Sequence, residues 1–130
     1  MSQPLAIETW HRLVRTTDTA GLKDLLAEEA VFHSPVVHTP QRDKKLAYLY
    51  LSAAFKVFFN ESFHYVREVI NGNNAVLEFE VQLDGITVNG VDMISWNDEG
   101  KIIDFKVMLR PLKAINLIHQ KMGQMLEAAR

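Results

Sequence analysis

The sequence has 130 residues, a length that suits one domain of ordinary size and is too short for two. With 48% hydrophobic and 23% charged residues, its composition excludes a disordered or fibrous chain. The formal net charge of −2 excludes a general polyanion binder, and the absence of cysteine excludes a disulfide scaffold, a thiolate nucleophile and a zinc finger.

The first half of the chain has the spacing of helices. The pattern predicts, in chain order, a helix over residues 4–17, a shorter helix capped by Asp18 or Thr19, a brief strand over residues 30–34, and a third helix from Asp43 to about residue 59. In the second helix, Leu22, Leu25 and Leu26 form an apolar stripe at i, i+3 and i+4.

After residue 60 the apolar period changes from about 3.6 to 2, which indicates strands. The alternation predicts four strands joined by tight turns, over residues 63–70, 75–84, 86–96 and 101–110. Pro111 then ends strand pairing and opens a last helix over residues 112–128. We therefore predict a single α+β domain over residues 1–130. A curved antiparallel sheet wraps around the N-terminal helices to form a cone with an apolar pocket, and a C-terminal helix follows.

One carboxyl group is predicted to point into this cone. In the strand over residues 86–96, Asp92 shares its face with the apolar Ile94 and Trp96, and we expect Phe105 beside them. Burial disfavours the charged form of a carboxyl group, so the pKa of Asp92 should be raised, as a general acid or a neutral hydrogen-bond donor requires. The alternative is a structural carboxylate that caps the nearby turn or pairs with Arg67 or Arg110.

Three stretches of this sequence resemble the nuclear transport factor 2-like superfamily, in its SnoaL-like or ketosteroid isomerase-like branch. They are residues 18–35 (DTAGLKDLLAEEAVFHSP), residues 89–106 (NGVDMISWNDEGKIIDFK) and the pair Arg110-Pro111. The resemblance extends over essentially the whole chain to Arg110. It implies the cone fold, but this fold carries isomerases, cyclases, dehydratases, hydrolases and binding modules, so it leaves the activity open.

The resemblance also suggests roles for three residues, and two of them depart from the family pattern. Asp92 lies where ketosteroid isomerases have the neutral aspartic acid of their oxyanion hole, a well-known case of pKa tuning. Ser34 stands where those enzymes have their aspartate base, and Trp10 where they have a tyrosine donor. If the protein is catalytic, we expect Asp92 as the acid–base or donor group, Trp10 as an orienting or donating group, and Ser34 as a polar contact.

A hydrophobic small molecule is the expected partner, with no cofactor and no metal. The residues expected to line its pocket are Phe32, His38, Tyr48, Phe55, Phe79, Ile94, Trp96, Phe105 and Val107. Of the five histidines, His38 in the proline-bounded loop is the best substitute base, because it could fold over the mouth of the cone. The histidines show no metal-ligand spacing.

The outer face of the strands mixes charge with apolar residues, which favours a homodimer through that face. Its charged and polar members are Glu78, Glu80, Gln82, Asp104, Lys106 and Arg110, and its apolar members are Val76, Ile102 and Met108. The sequence has no leader-like start and no run of roughly 20 apolar residues, so we expect a cytoplasmic protein that binds neither membrane nor nucleic acid.

Two functions remain open on the sequence. The first is a SnoaL-like enzyme of the isomerase or polyketide cyclase type that acts on a hydrophobic or aromatic substrate by acid–base chemistry. The second is a non-catalytic ligand-binding or dimerisation module of the same fold, which the missing aspartate before Pro35 favours. The cavity distinguishes the two functions: if Trp10, Phe55 and Phe105 fill the cone and leave no void, the enzyme hypothesis fails.

Overall fold

The structure is a computed structural model that describes residues 4–128. Its helices are α1 (Leu5–Thr16), α2 (Thr19–Leu25), α3 (Lys44–Phe58) and α4 (Leu112–Ala128). Its strands are β1 (Leu26–His33), β2 (Gln41–Arg42), β3 (His64–Asn71), β4 (Asn74–Leu83), β5 (Ile86–Trp96) and β6 (Ile102–Arg110). No helix among these residues is long and apolar enough to cross a membrane.

The six strands form one curved, unclosed sheet in the order β2-β1-β6-β5-β4-β3. Strands β3 to β6 are the predicted antiparallel meander, and β1 joins its far side in parallel with β6. The fold class predicted from the sequence is confirmed: an α+β chain with N-terminal helices, a curved sheet and a C-terminal helix.

Two aspartates begin helices where the sequence predicts them. The carboxylate of Asp18 accepts a hydrogen bond from the Gly21 amide at 3.0 Å, and that of Asp43 accepts one from the Leu46 amide at 3.1 Å. Each satisfies an amide that the first helical turn leaves without a partner. These caps fix the starts of α2 and α3, which support the inner face of the sheet.

The first strand is longer than the sequence predicts. It begins at Leu26 rather than residue 30 and ends at His33, so Leu26 belongs to β1 and not to the apolar stripe of α2. Leu26 is opposite Ile102 of β6, and this tertiary pairing outweighs the helical spacing of the leucines. The two-residue strand β2, which pairs with the end of β1, was not predicted.

A register shift in β6 changes which isoleucine is buried. Strict alternation predicts Ile103 inside and Ile102 outside, but Ile102 is 1% exposed and Ile103 is only half-buried. The pairing of β5 with β6 is irregular between Ser95 and Trp96, so Trp96 lies opposite Ile102. The irregularity reverses the face of Ile102 relative to the rest of β6, whereas Phe105 and Val107 stay buried as the alternation predicts, and the sequence pattern does not reveal this.

The C-terminal helix is docked rather than free. Ala114, Ile118 and Met122 of α4 are buried, and the helix packs against α3. It contributes no side chain to the cavity inside the cone. Its apolar stripe therefore completes the hydrophobic core behind α3.

Candidate functional site

An apolar cavity of about 30 Å³ lies between the inner face of the sheet and helices α1 and α3. Its walls are mostly aromatic: Trp10, Leu51, Ala54, Phe55, Phe58, Phe59, Phe63, Phe79, Asp92, Phe105 and Val107. A void needs about 10–15 Å³ to hold one water molecule, so this space has room for little more than solvent. In this conformation the aromatic side chains nearly fill the cone.

The aromatic rings pack mainly edge to face. The indole of Trp10 lies 4.9 Å from the ring of Phe105 and 5.4 Å from that of Phe55, between ring centroids. Phe59 lies 4.6 Å from both Phe55 and Phe63. Aromatic pairs at these distances stabilise one another beyond the burial of their area, so they hold the cavity in its contracted form.

Within the described range, residues 4–128, Asp92 is the one ionisable side chain that lines the cavity. It lies in the middle of β5, opposite Leu77 of β4 and Val107 of β6, and it is 6% exposed. Burial raises the pKa of Asp92 from the usual 3.8 to about 7, although the hydrogen bond from Tyr65 opposes this shift. The raised pKa agrees in direction with the expectation from the sequence. Asp92 shares the cavity wall with Phe79, Phe105 and Val107.

A hydrogen-bonded chain of three side chains ends on this carboxyl group. The indole Nε1–H of Trp10 donates to the hydroxyl of Tyr65 at 2.9 Å, and that hydroxyl donates to Oδ2 of Asp92 at 2.8 Å. Burial, followed by the nearby charge of Asp92, raises the pKa of Tyr65 well above its usual value, so the phenol stays protonated and remains a donor. Oδ1 of Asp92 makes no hydrogen bond to residues 4–128.

A bulge in β3 brings Tyr65 into this chain together with a second polar residue. Tyr65 is opposite Phe79 and Glu68 is opposite Leu77, so both face inward although they are three residues apart. Regular alternation would put them on opposite faces, and the irregularity between Tyr65 and Arg67 supplies the extra residue. Glu68 therefore reaches His11 of α1, with which it forms a short hydrogen bond.

The structure brings together two of the three residues predicted to act in catalysis. Trp10 and Asp92 line the same cavity and are connected through Tyr65, and Asp92 neither caps a turn nor pairs with Arg67 or Arg110. Ser34 lies elsewhere, because β1 ends at His33 and the chain then turns. Its Oγ accepts hydrogen bonds from the amides of Val36 and Val37, and Ser34 does not line the cavity that contains Asp92.

The predicted pocket residues divide between the cavity, the core and the surface. Four of the residues predicted to line a ligand pocket line this cavity: Phe55, Phe79, Phe105 and Val107. The other five lie outside it: Phe32, His38, Tyr48, Ile94 and Trp96.

The five residues that lie outside the cavity have other surroundings. Phe32 packs on Tyr50 and Phe105 in the core, and Ile94 is buried away from the cavity. Trp96 borders a shallow pocket at the start of α1, and the ring of Tyr48 lies 5.0 Å from Nζ of Lys23. His38 lines a separate groove of about 440 Å³ beside Ser34 and β6, so it does not cover the mouth of the cone.

Several residues of the site were not predicted from the sequence. The most important are Tyr65, which donates to Asp92, and Phe59 and Phe63, which line the cavity. The signal for Tyr65 was present: Phe63 and Tyr65 are aromatic residues two apart at the start of a predicted strand, a spacing that puts both on one face. Among residues 4–128 no three His, Asp or Glu side chains come close enough together to hold a metal ion.

The chain is similar in sequence and in structure to known proteins. The sequence model of the SnoaL-like domain family matches residues 7–105. The crystal structure of a steroid delta-isomerase from Pseudomonas aeruginosa is 34% identical, covers 95% of this chain and 90% of its own, and superposes with a TM-score of 0.90. No curated protein sequence matches the chain.

More distant structures show the breadth of this fold. An uncharacterised protein with a cystatin-like fold from Silicibacter pomeroyi is 27% identical over 98% of this chain and 86% of its own, with a TM-score of 0.83. A putative SnoaL-like polyketide cyclase from Jannaschia is 14% identical over 88% of this chain and 94% of its own, with a TM-score of 0.67. At that identity the likeness is one of fold alone.

Proposed function

Because the chain belongs to the SnoaL-like domain family, we propose that it binds an apolar small molecule in the aromatic cavity and transfers a proton on that molecule with Asp92. The observation that carries this proposal is the asymmetry of the Asp92 carboxyl group. Oδ2 accepts the hydrogen bond from Tyr65, while Oδ1 has no partner among residues 4–128 in a cavity whose other walls are apolar or aromatic. A pKa of about 7 suits a group that must both take and return a proton near neutral pH.

The reaction class that fits one carboxyl group is a proton shift within a carbonyl compound. In a β,γ-unsaturated ketone, Oδ1 of Asp92 removes a proton from the carbon between the carbonyl and the double bond, which gives a dienolate. Asp92 then returns that proton to the γ carbon, the double bond becomes conjugated, and no oxidant or reductant is needed. Once Asp92 is protonated, the Tyr65 hydroxyl is free to turn towards the enolate oxygen.

The relatives support this class but do not transfer their chemistry unchanged. The 34% identical relative is a steroid delta-isomerase by name. In this chain Ser34 holds the loop after β1 and cannot remove a carbon-bound proton, so Asp92 takes the role of base. A ring closure of the cyclase type also begins with removal of a proton beside a carbonyl, and the same carboxyl group would serve it.

A second candidate function is ligand binding without turnover. The observation that favours it is the contracted cavity, because about 30 Å³ is far below the roughly 300–1,000 Å³ of ordinary ligand sites. Turnover therefore requires the aromatic wall to move. Three wall residues are only partly buried, Ala54, Phe59 and Phe63, and the two phenylalanines are the large side chains among them.

The experiment is a proton-exchange assay with a small cyclic β,γ-unsaturated ketone in deuterated water. The intact protein should accelerate both deuterium uptake beside the carbonyl and formation of the conjugated ketone. Asp92→Asn should lower the rate by about 100-fold or more, the usual range for loss of a general acid–base group. Asp84→Asn, in the exposed β4–β5 turn, is the matched control and should leave the rates of deuterium uptake and of ketone conjugation unchanged. Binding of the ketone with no acceleration would favour the second candidate.

We also propose that the protein forms a homodimer through the outer face of its sheet. Four apolar side chains on that face are more than a third exposed: Val69, Val76, Met93 and Met108. Charges of both signs surround them, including Glu78 and Lys106. Ile102, which the sequence assigned to this face, is buried in the core and takes no part.

A further inference from the structure

A surface groove of about 520 Å³ lies directly outside the cavity, between α1 and β3. Its walls are His11, Val14, Arg15, Phe63, His64, Tyr65, Val66, Arg67 and Glu68. Phe63 belongs to both spaces, because it lines the cavity on one side and the groove on the other. The half-buried Phe63 therefore lies between the cavity that contains Asp92 and the groove.

The seam between α1 and β3 is the line along which these two elements meet. Among residues 4–128, the hydrogen bonds across it come from side chains alone. Trp10 donates to Tyr65 across it, and His11 bonds with Glu68. No backbone hydrogen bond joins α1 to β3 in the part of the chain that the structure describes. A seam of this kind opens by side-chain rotation, without breaking the sheet.

Among residues 4–128, one cation of the groove has neither an ion-pair nor a hydrogen-bond partner. Arg15, in the last turn of α1, forms no ion pair or hydrogen bond with residues 4–128. The other charged or titratable walls are already engaged: Arg67 pairs with Glu78, His64 lies beside Glu80, and Glu68 bonds with His11. The charge left over in the groove is therefore positive.

We propose that the groove is the outer half of the ligand site, and that the ligand is an apolar ring compound bearing a carboxylate. The ring enters the cavity past Phe63, and the carboxylate binds the Arg15 guanidinium. This inference rests on the proposed function, to which it adds a substrate class and a binding residue. An anion suits Arg15 because a guanidinium presents paired N–H donors to a carboxylate.

The two spaces need each other for a ligand of ordinary size. The cavity alone is too small for such a ligand. The groove alone is open to solvent and does not contain the Asp92 carboxyl group. Rotation of Phe63 joins them into a site of several hundred cubic ångströms, the usual range for small molecules. An amphipathic ligand spans such a site with its apolar part on the aromatic wall and its charge in the groove.

The test uses two fluorescent probes with the same rings. Anilinonaphthalene sulfonate carries an anionic group in place of the carboxylate, and phenylnaphthylamine is its neutral counterpart. Arg15→Gln should raise the dissociation constant of the sulfonate about threefold, the effect of losing one exposed ion pair, and leave the neutral probe unchanged. Arg12→Gln, an exposed arginine of α1 outside the groove, is the matched control and should affect neither probe.

The route past Phe63 has its own readout. Phe63→Leu keeps an apolar side chain but removes the ring, so both probes should associate faster in stopped-flow mixing. An unchanged association rate would overturn the route, and an unchanged sulfonate affinity in Arg15→Gln would overturn the carboxylate site. Neither result would contradict proton transfer by Asp92. If the neutral probe does not bind at all, the aromatic cavity is not a ligand site, and the proposed function fails with this inference.

Discussion

The two oxygens of the Asp92 carboxyl group have different surroundings, and this difference decides what the residue can do. Oδ2 accepts a hydrogen bond from the Tyr65 hydroxyl, and Oδ1 has no hydrogen-bond partner among residues 4–128. Burial favours the protonated form and the hydrogen bond favours the ionised form, so the pKa of about 7 is a balance of two opposing effects. Each effect can be removed separately.

Stability measured against pH tests the burial effect. Because the pKa is raised from 3.8 to about 7, the folded protein binds more protons than the unfolded chain between these values. The contribution of Asp92 is therefore full below pH 3.8 and declines as the pH rises through 7, by up to about 4 kcal/mol. Asp92→Asn cannot titrate, so relative to the parent it should gain stability between about pH 4 and about pH 8. Urea unfolding at both pH values measures this, and a pH-independent difference would contradict it.

Replacement of Tyr65 tests the hydrogen-bond effect. Tyr65→Phe removes the donor that lowers the pKa of Asp92, so that pKa should rise above 7 and the pH–rate profile should move to higher pH. Trp10→Phe is the comparison, because Trp10 reaches Asp92 only through Tyr65 and should cause a smaller shift. Carbon NMR of the Asp92 carboxyl group measures the shift without turnover. A rate lowered equally at every pH would mean that Tyr65 only holds the fold.

At the scale of the elements, a close approach between strands fixes the wall of the cavity. A Cβ atom at Gly90 of β5 would lie 2.5 Å from the ring of Phe79, 2.7 Å from Leu109 and 2.8 Å from the Met108 carbonyl oxygen. Only glycine lets the Phe79 ring lie against β5 and line the cavity beside Asp92. The shape of the site therefore depends on a residue that has no side chain.

Two glycine replacements should have opposite effects. Gly90→Ala crowds backbone and ring atoms and should lower the free energy of unfolding by about 1–3 kcal/mol. Gly123→Ala, in α4, meets no atom within 4 Å and should raise it by about 0.5–1 kcal/mol, since alanine is the better helix former. Thermal and urea unfolding of both variants measure the contrast. If Gly90→Ala were neutral, the packing of Phe79 on β5 would be looser than described.

The docking of α4 can be measured in the same way. Ile118 is fully buried against α3, so Ile118→Ala should lower the free energy of unfolding by about 2–5 kcal/mol. Leu112 begins the same helix but is 71% exposed, and Leu112→Ala should change the free energy by less than about 0.5 kcal/mol. Equal effects of the two replacements in urea unfolding would show that α4 does not pack as described.

The elements also show what the sequence could and could not reveal. Alternation along β5 is regular, so the inward direction of Asp92 followed from its neighbours. The irregular pairing before Ile102 breaks the period of two, and no turn residue announces it, so Ile102 was misplaced. The bulge in β3 begins after Tyr65, so it hides the inward direction of Glu68 and not that of Tyr65. Ser34 lies outside the cavity for a different reason. Strand periodicity does not show where strand pairing stops, and β1 ends at His33, one residue before the predicted end of the strand.

At the scale of the whole molecule, the outer sheet face should determine the state of assembly. We expect a dimer in sedimentation at tens of micromolar. The exposed valines and methionines of this face offer apolar area to bury, and charged side chains of both signs beside them can pair across the interface. Met108→Glu puts a charge on the most exposed methionine of that face and should shift the protein towards monomer. Leu5→Glu, on a still more exposed residue of α1, is the control and should leave the dimer intact. A parent protein that sediments as a monomer would contradict the dimer.

The parallel pairing of β1 with β6 also sets the order in which the chain can fold. His33 and Asp104, whose side chains bond across these two strands, are 71 residues apart, whereas the meander β3 to β6 closes through short turns. Closing a long loop costs more chain entropy than closing a hairpin, so the meander is expected to form first and to act as the template for β1. During synthesis, α1, α2 and β1 leave the ribosome before β6 exists and expose their apolar faces until about seventy further residues have followed. The N-terminal segment is then the part of the nascent chain most exposed to aggregation and to chaperone binding.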